Sequence, residues 1–168
     1  FRSKAYEAFR RYPEKCIEIM GMFRANLSRR NPKEASRILI AEMRNIVKSD
    51  PVLALHLFGD EIKSYFKGLK KKSDIFPLYS EIMRASSGSA DLAYDKIAEP
   101  LIEMFVEELD DEGAKKAFAI FESSTRSNPM SEQKLESEKK ALLQKCADIK
   151  KQRAEEAAWA ELDKENDG

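Results

Sequence analysis

Residues 50–87, DPVLALHLFGDEIKSYFKGLKKKSDIFPLYSEIMRASS, decide the fold class of this chain. Apolar residues recur in them at spacings of three and four on both sides of three consecutive lysines, Lys70, Lys71 and Lys72. Such spacing is typical of amphipathic α-helices, and cations are favoured in the last turn of a helix. The stretch therefore predicts two helices that meet at a bend inside one core.

Proline marks the starts of several helices. Pro13, Pro32 and Pro51 each precede a run with helical apolar spacing, and proline is tolerated in a helix's first turn, where its missing N–H would lack a partner anyway. We find no alternation of apolar and polar residues of the kind that predicts strands. The sequence predicts an all-α fold, either an irregular antiparallel helical bundle or a short α-α superhelix of about seven helices.

Local signals predict how single helices begin, bend and face the core. Asn31 and Glu34 form a capping-box pattern, and Ser73 or Asp74 is the expected cap of the helix after the lysines. Pro100 interrupts the longest apolar stripe, which predicts a kink or two consecutive helices. The helix that starts at Pro13 is expected to bury one stripe: Cys16, Met20, Phe23 and Leu27.

Composition divides the chain into four parts. Residues 1–124 carry the apolar stripes and are predicted to form the bundle or superhelix domain, and turn-forming residues at 125–130 predict a linker. Residues 131–163 are rich in strong helix formers and are predicted to be a C-terminal amphipathic helix, followed by a disordered tail at 164–168. Leu135, Leu142 and Ile149 recur every seven residues along this helix, and Trp159 stands apart near its end.

The formal net charge of zero hides a strong segregation of charge. Residues 1–72 contain 17 Lys and Arg against 8 Asp and Glu, a net of +9, whereas residues 73–124 contain 4 against 12, a net of −8. The remaining residues are near neutral, with 9 against 10. Segregated charge of this kind bears on partners and association rates more than on fold.

Several classes of protein are disfavoured by simple patterns. Cys16 and Cys146 lie far apart without a CxxC pair or a histidine near either, which disfavours a disulfide framework or zinc site. No apolar run is long enough to cross a membrane, so we expect no membrane partner. The start, FRSKAYEAF, has neither a signal-peptide core nor an initiator Met, which favours a fragment of a longer intracellular protein, cytoplasmic or nuclear.

Basic residues cluster near predicted helix ends. Antiparallel neighbours would bring alternate helix ends together, so we expect one basic patch that can contact phosphates on RNA, DNA or a phosphorylated peptide. Stabilisation of the helix ends alone would explain the same positions. The predicted patch consists of Arg24, Arg29, Arg30, Lys67, Lys70, Lys71 and Lys72.

Acidic residues cluster where two predicted helices meet. Glu107, Glu108, Asp110 and Asp111 could form a contact surface for a basic partner, and paired carboxylates can also bind a divalent metal. The structural alternative is that Asp110 or Asp111 caps the following helix.

Catalytic motifs are missing from the sequence. His56 is the only histidine and stands between Leu55 and Leu57, which predicts a buried or partly buried structural role. There is no Gly-rich phosphate loop, HExxH or GxSxG pattern, so we expect neither enzymatic activity nor a cofactor.

These observations favour a non-enzymatic α-helical module for protein–protein interaction, an adaptor or scaffold with one basic and one acidic face. The seam of the C-terminal helix, with Leu135, Leu142, Ile149 and Trp159, would suit a groove on a partner. The alternative is an RNA-binding or other nucleic-acid-binding domain that uses the basic half. The sequence leaves the oligomeric state open.

Overall fold

A computed structural model of the chain describes residues 2–167, apart from the side chains at positions 2, 3, 5, 6, 9, 13 and 33. The chain is 89% helical, and the described residues contain no strand, which confirms the all-α prediction. The first helices are α1 (Arg2–Arg11), α2 (Pro13–Arg30), α3 (Pro32–Ser49), α4 (Pro51–Gly68) and, after a 3₁₀ turn at Lys72–Ile75, α5 (Phe76–Ala85). The later ones are α6 (Ala90–Ala93), α7 (Glu99–Glu107), α8 (Asp111–Ser124) and α9 (Glu132–Asn166).

The helix starts at proline agree with the sequence, but two predicted side-chain capping bonds are absent. Asp50 caps α4 by accepting a bond from the Leu53 N–H at 3.1 Å. Asn31 occupies the predicted N-cap position of α3, and its backbone carbonyl accepts the N–H groups of Glu34 and Ala35, but its side chain makes no capping bond. Neither Ser73 nor Asp74 caps α5 through its side chain, because the 3₁₀ turn runs directly into that helix.

One hydrophobic core lies on both sides of the lysine cluster. The ring of Phe105 in α7 packs edge-on against Phe66 in α4 at 4.8 Å and stacks on Phe76 in α5 at 5.4 Å. All three phenylalanines are buried. The bend after α4 is therefore inside a single core, as the apolar stripes predicted.

The helix before α7 widens at Pro100. Proline has no N–H to offer to the carbonyl four residues earlier, and a π-helical turn at Tyr94–Ala98 separates α6 from α7. The Lys96 carbonyl lies against Gly59 of α4, where an added Cβ would be 3.4 Å from it. Pro100 itself lies in the first turn of α7, and the interruption expected at this proline takes the form of a π-helical turn just before that helix.

The predicted linker at 125–130 is a packed loop. Thr125 and Met130 are buried, and the Thr125 hydroxyl donates to the Phe121 carbonyl at 2.9 Å. The Asn128 side chain donates to the Gly88 carbonyl at 3.3 Å. α9 then continues to Asn166, three residues past the predicted end, so residues 164–166 are helical; Gly168 is outside the described residues.

Four helices run in one direction. Arg10, at the end of α1 and next to the start of α2, pairs with Asp50 at the start of α4. Arg24, farther along α2, pairs with Glu61 farther along α4, so α2 and α4 are parallel. The contacts of Lys96 with Gly59 and of Phe105 with Phe66 align α7 with α4 in the same way. The contacts from Lys134 to Asp91 and from Arg153 to Glu107 do the same for α9 and α7.

Candidate functional site

The parallel run of α2 and α4 brings their basic C-terminal residues to one end of the bundle. Five of the seven predicted cations are exposed there and form no ion pair with any described residue. We call these five the basic end: Arg29, Arg30, Lys67, Lys70 and Lys71.

The other two predicted cations have structural roles. The Arg24 guanidinium donates to the carboxylate of Glu61, which is only 2% exposed. Burial raises the pKa of Glu61, and the charge of Arg24 opposes that shift. The Lys72 ammonium donates to the Phe66 and Lys67 carbonyls at 3.1 and 3.0 Å, which satisfies the end of α4. Neither cation is free to hold a phosphate.

The predicted acidic patch is partly used within the chain. Asp110 caps α8 by accepting the Gly113 N–H at 2.8 Å, as the structural alternative predicted. Asp111 pairs with Lys150 of α9, and the backbone carbonyl of Glu107 accepts a bond from Arg153 of the same helix. Glu108 is exposed.

α9 lies against the acidic half of the chain. Lys134 is 3.6 Å from a carboxylate oxygen of Asp91, and the hydrogen bond to Glu103, at 2.8 Å, raises the pKa of Lys145. The seam residues Leu135, Leu142 and Ile149 are half-buried against the core. They therefore do not form a free partner helix, because the acidic surface and the C-terminal helix contact each other.

The end of α9 is free of the bundle. Every residue from 151 to 167 is exposed, and Trp159 is 69% exposed. Residues 154–167 contain six carboxylates and one lysine. Ala158, Trp159 and Leu162 lie within about 100° of one another on the helix surface. Residues 154–166, which we call the free end, are thus an acidic helix with a small apolar stripe.

A second apolar surface lies on α2 and was missed in the sequence. Ile19, Met22 and Phe23 are exposed within an arc of about 100° on α2, and Tyr12, the residue just before the helix, is 63% exposed. We call these four side chains the α2 face. The expectation that Phe23 is buried is wrong, since it is 47% exposed. A signal was present: apolar residues occur on more sides of α2 than one packed stripe needs.

His56 does not have the buried position that the sequence predicted. It is exposed, because it points outward between the buried Leu55 and Leu57. It lines an open cleft of about 340 Å³ together with Arg24, Asp60, Lys63 and other residues. No Ser, Thr or Cys is among these lining residues, and no group of three or more potential metal ligands occurs in the described part of the chain.

Within residues 2–167, no helix is long and apolar enough to cross a membrane.

Comparison with known proteins adds no assignment to these surfaces. No protein family model, no curated protein and no solved structure matches the chain. The surfaces described above therefore carry the functional argument by themselves.

Proposed function

We propose that this chain is a non-enzymatic protein-interaction module, and that the α2 face binds an acidic amphipathic helix of a partner protein. The observation that carries the proposal is the exposure of three large apolar side chains on one side of α2, with Met22 at 68%, and of Tyr12 just before the helix. Contiguous apolar patches on a protein surface mark interaction sites, whereas single exposed apolar residues do not.

Charge supports the choice of an acidic partner. Lys15 lies within the arc of the α2 face, and Arg29 and Arg30 follow at the C-terminal end of the helix; all three are exposed. Glu18 is the one carboxylate beside Met22 on the helix surface. A helix that lays its apolar stripe on this face would place acidic flanks against these cations, which speeds association and fixes orientation.

Affinity capture with a matched variant tests this proposal. The full chain and its Met22→Glu variant are immobilised and exposed to an extract of source cells, with and without nuclease. Leu143→Glu is the control, because Leu143 is 66% exposed on α9 and outside the α2 face. We expect protein partners that survive nuclease, are retained by the control and are lost with Met22→Glu. Partners retained equally by all three chains would contradict the proposal.

The basic end supports a second candidate, RNA binding. Its five exposed cations lack intramolecular partners among the described residues and could contact successive phosphates. The free end of α9 weakens this candidate, because its carboxylates project from the same end of the bundle and repel a polyanion.

Salt dependence of RNA binding separates the two candidates. We compare Lys70→Glu/Lys71→Glu with Lys140→Glu/Lys151→Glu, a pair of exposed lysines on α9, using a labelled single-stranded RNA. RNA binding at the basic end predicts a large loss of affinity and a shallower salt slope for the first pair alone. Equal effects of both pairs would exclude a site at the basic end.

A further inference from the structure

We infer that the α2 face accepts the free end of α9 from a second copy of this chain. This inference rests on the α2 face being the contact surface proposed above, and it names the partner. The partner helix is part of the same sequence: residues 154–166 are helical, exposed and acidic, and they carry an apolar stripe.

The free end and the α2 face are complementary in charge, and each presents an apolar strip on a helix. The free end offers one large aromatic ring, Trp159, and Leu162 one turn later, bordered by Glu155, Asp163 and Glu165. The α2 face offers an apolar strip of similar width, with Lys15 within it and Arg29 and Arg30 beyond its C-terminal end. Burying an exposed tryptophan is the kind of contact that dominates binding energy at protein interfaces.

The contact must form between molecules. α9 is one continuous helix, fixed to the bundle by the pairs of Lys150 with Asp111 and Arg153 with Glu107. Its thirteen residues 154–166 therefore extend by about 20 Å past the bundle, away from the core. The α2 face begins at the opposite end, since Arg10 pairs with Asp50 at the start of α4. Contact within one chain would require α9 to break.

Two copies can satisfy each other by reciprocal exchange. The free end of each copy binds the α2 face of the other, so the two copies are related by a two-fold axis. Both α2 faces and both free ends are then occupied, and no further copy can add. We expect such a dimer to have twice the 19.2 kDa mass of the chain and to dissociate at high salt, because charge contributes to both contacts.

Trp159 provides a direct readout, because it is the only tryptophan of the chain. Burial in the partner shifts tryptophan emission to shorter wavelength, so emission and sedimentation are followed from about 1 to 200 µM, the range of weak helical contacts. The wild type and Leu143→Glu should dimerise with a blue shift. Met22→Glu disrupts the α2 face and Trp159→Glu disrupts the free end, so each variant alone should stay monomeric.

Mixing the two inactive variants is the decisive step. Trp159→Glu has no tryptophan but an intact α2 face, and it should shift the Trp159 emission of Met22→Glu. The double variant Met22→Glu/Trp159→Glu should not. No shift in this mixture overturns the inference, as does a wild type that stays monomeric. Dimerisation of Trp159→Glu alone also overturns it, since that result indicates contact between two α2 faces.

The outcomes distinguish this inference from the proposed function. If the chain is monomeric but Met22→Glu still loses a captured protein, the α2 face binds a different partner and only the inference fails. If the chain dimerises as described and no foreign protein depends on Met22, the adaptor function fails and self-association remains.

Discussion

The pair formed by Arg24 and Glu61 shows how one residue serves the fold and not a binding site. Glu61 is buried, and its carboxylate depends on the Arg24 guanidinium from another helix. Breaking a buried pair by removing one partner leaves an uncompensated charge in a poorly solvated place. Arg24 therefore holds α2 on α4, although its position in the sequence is that of a surface cation.

We predict that Arg24→Met lowers the free energy of unfolding by about 2 to 4 kcal/mol at pH 7. Burial already raises the pKa of Glu61 above its ordinary value near 4.5, and loss of Arg24 raises it further. Between the ordinary pKa of Glu61 in the unfolded chain and its raised pKa in the folded variant, the folded state holds a proton that the unfolded chain has released. The stability of Arg24→Met therefore falls as pH rises between these two pKa values. Urea titrations at pH 5 and pH 8 should show the larger loss at pH 8.

Two further variants control this experiment. Arg24→Met/Glu61→Gln should recover much of the stability and lose the extra pH dependence, because no buried charge remains. Arg29→Met, at an exposed position, should stay within about 0.5 kcal/mol of the wild type. Equal losses for Arg24→Met at both pH values would contradict a role of Glu61.

At the scale of elements, the junction of α7 and α8 contains the one non-glycine residue with a positive φ in the described part of the chain. Leu109 has φ of 58°, a left-handed conformation that usually calls for glycine, and the Asp110 N–H donates to the Phe105 carbonyl at 2.9 Å. Gly113, one turn into α8, lies against the Phe105 ring. The sequence predicted that two helices meet here, but it did not show the left-handed turn, because the glycine that usually adopts this conformation stands four residues later, at Gly113.

Replacing that glycine tests how closely the two helices meet. A Cβ at Gly113 would lie 2.7 Å from a carboxylate oxygen of Asp110 and closer still to the ring of Phe105. We predict that Gly113→Ala lowers the free energy of unfolding by about 1 to 3 kcal/mol. Gly21→Ala is the matched control: a Cβ there meets nothing within 4 Å, so helix propensity should raise stability by about 0.5 to 1 kcal/mol. Thermal denaturation of both variants measures these changes in stability, and a Gly113→Ala variant as stable as the wild type would contradict the close contact.

At the scale of the whole molecule, the sequence predicts where helices begin, but it does not predict which helices pack against each other. Pro13, Pro32 and Pro51 begin helices in the sequence and in the structure, because the rigid φ of proline acts locally. The contact of α9 with the acidic half depends on residues far apart in the chain. Lysines beside the seam at Leu135 and Leu142, and the net charge of −8 before them, were the available signal.

Truncation separates the two parts of α9. At concentrations low enough to keep the chain monomeric, removing residues 154–168 should leave the free energy of unfolding within about 0.5 kcal/mol, because residues 154–167 bury nothing in the bundle of their own chain. Removing residues 131–168 should cost more, since it uncovers the core beside Leu135, Leu142 and Ile149. Chemical denaturation of both truncated chains measures the difference. A large loss from the shorter deletion would show that the free end supports the bundle.

The common direction of α2, α4 and α7 also affects the electric field of the molecule. Each of these helices carries roughly half a negative charge at its C-terminus. However, α3, α5 and α8 begin soon after those same ends, and each carries roughly half a positive charge at its N-terminus. The backbone contributions therefore largely cancel at this end, and the potential that a distant polyanion meets there depends on side chains: the cations of the basic end and the carboxylates of the free end.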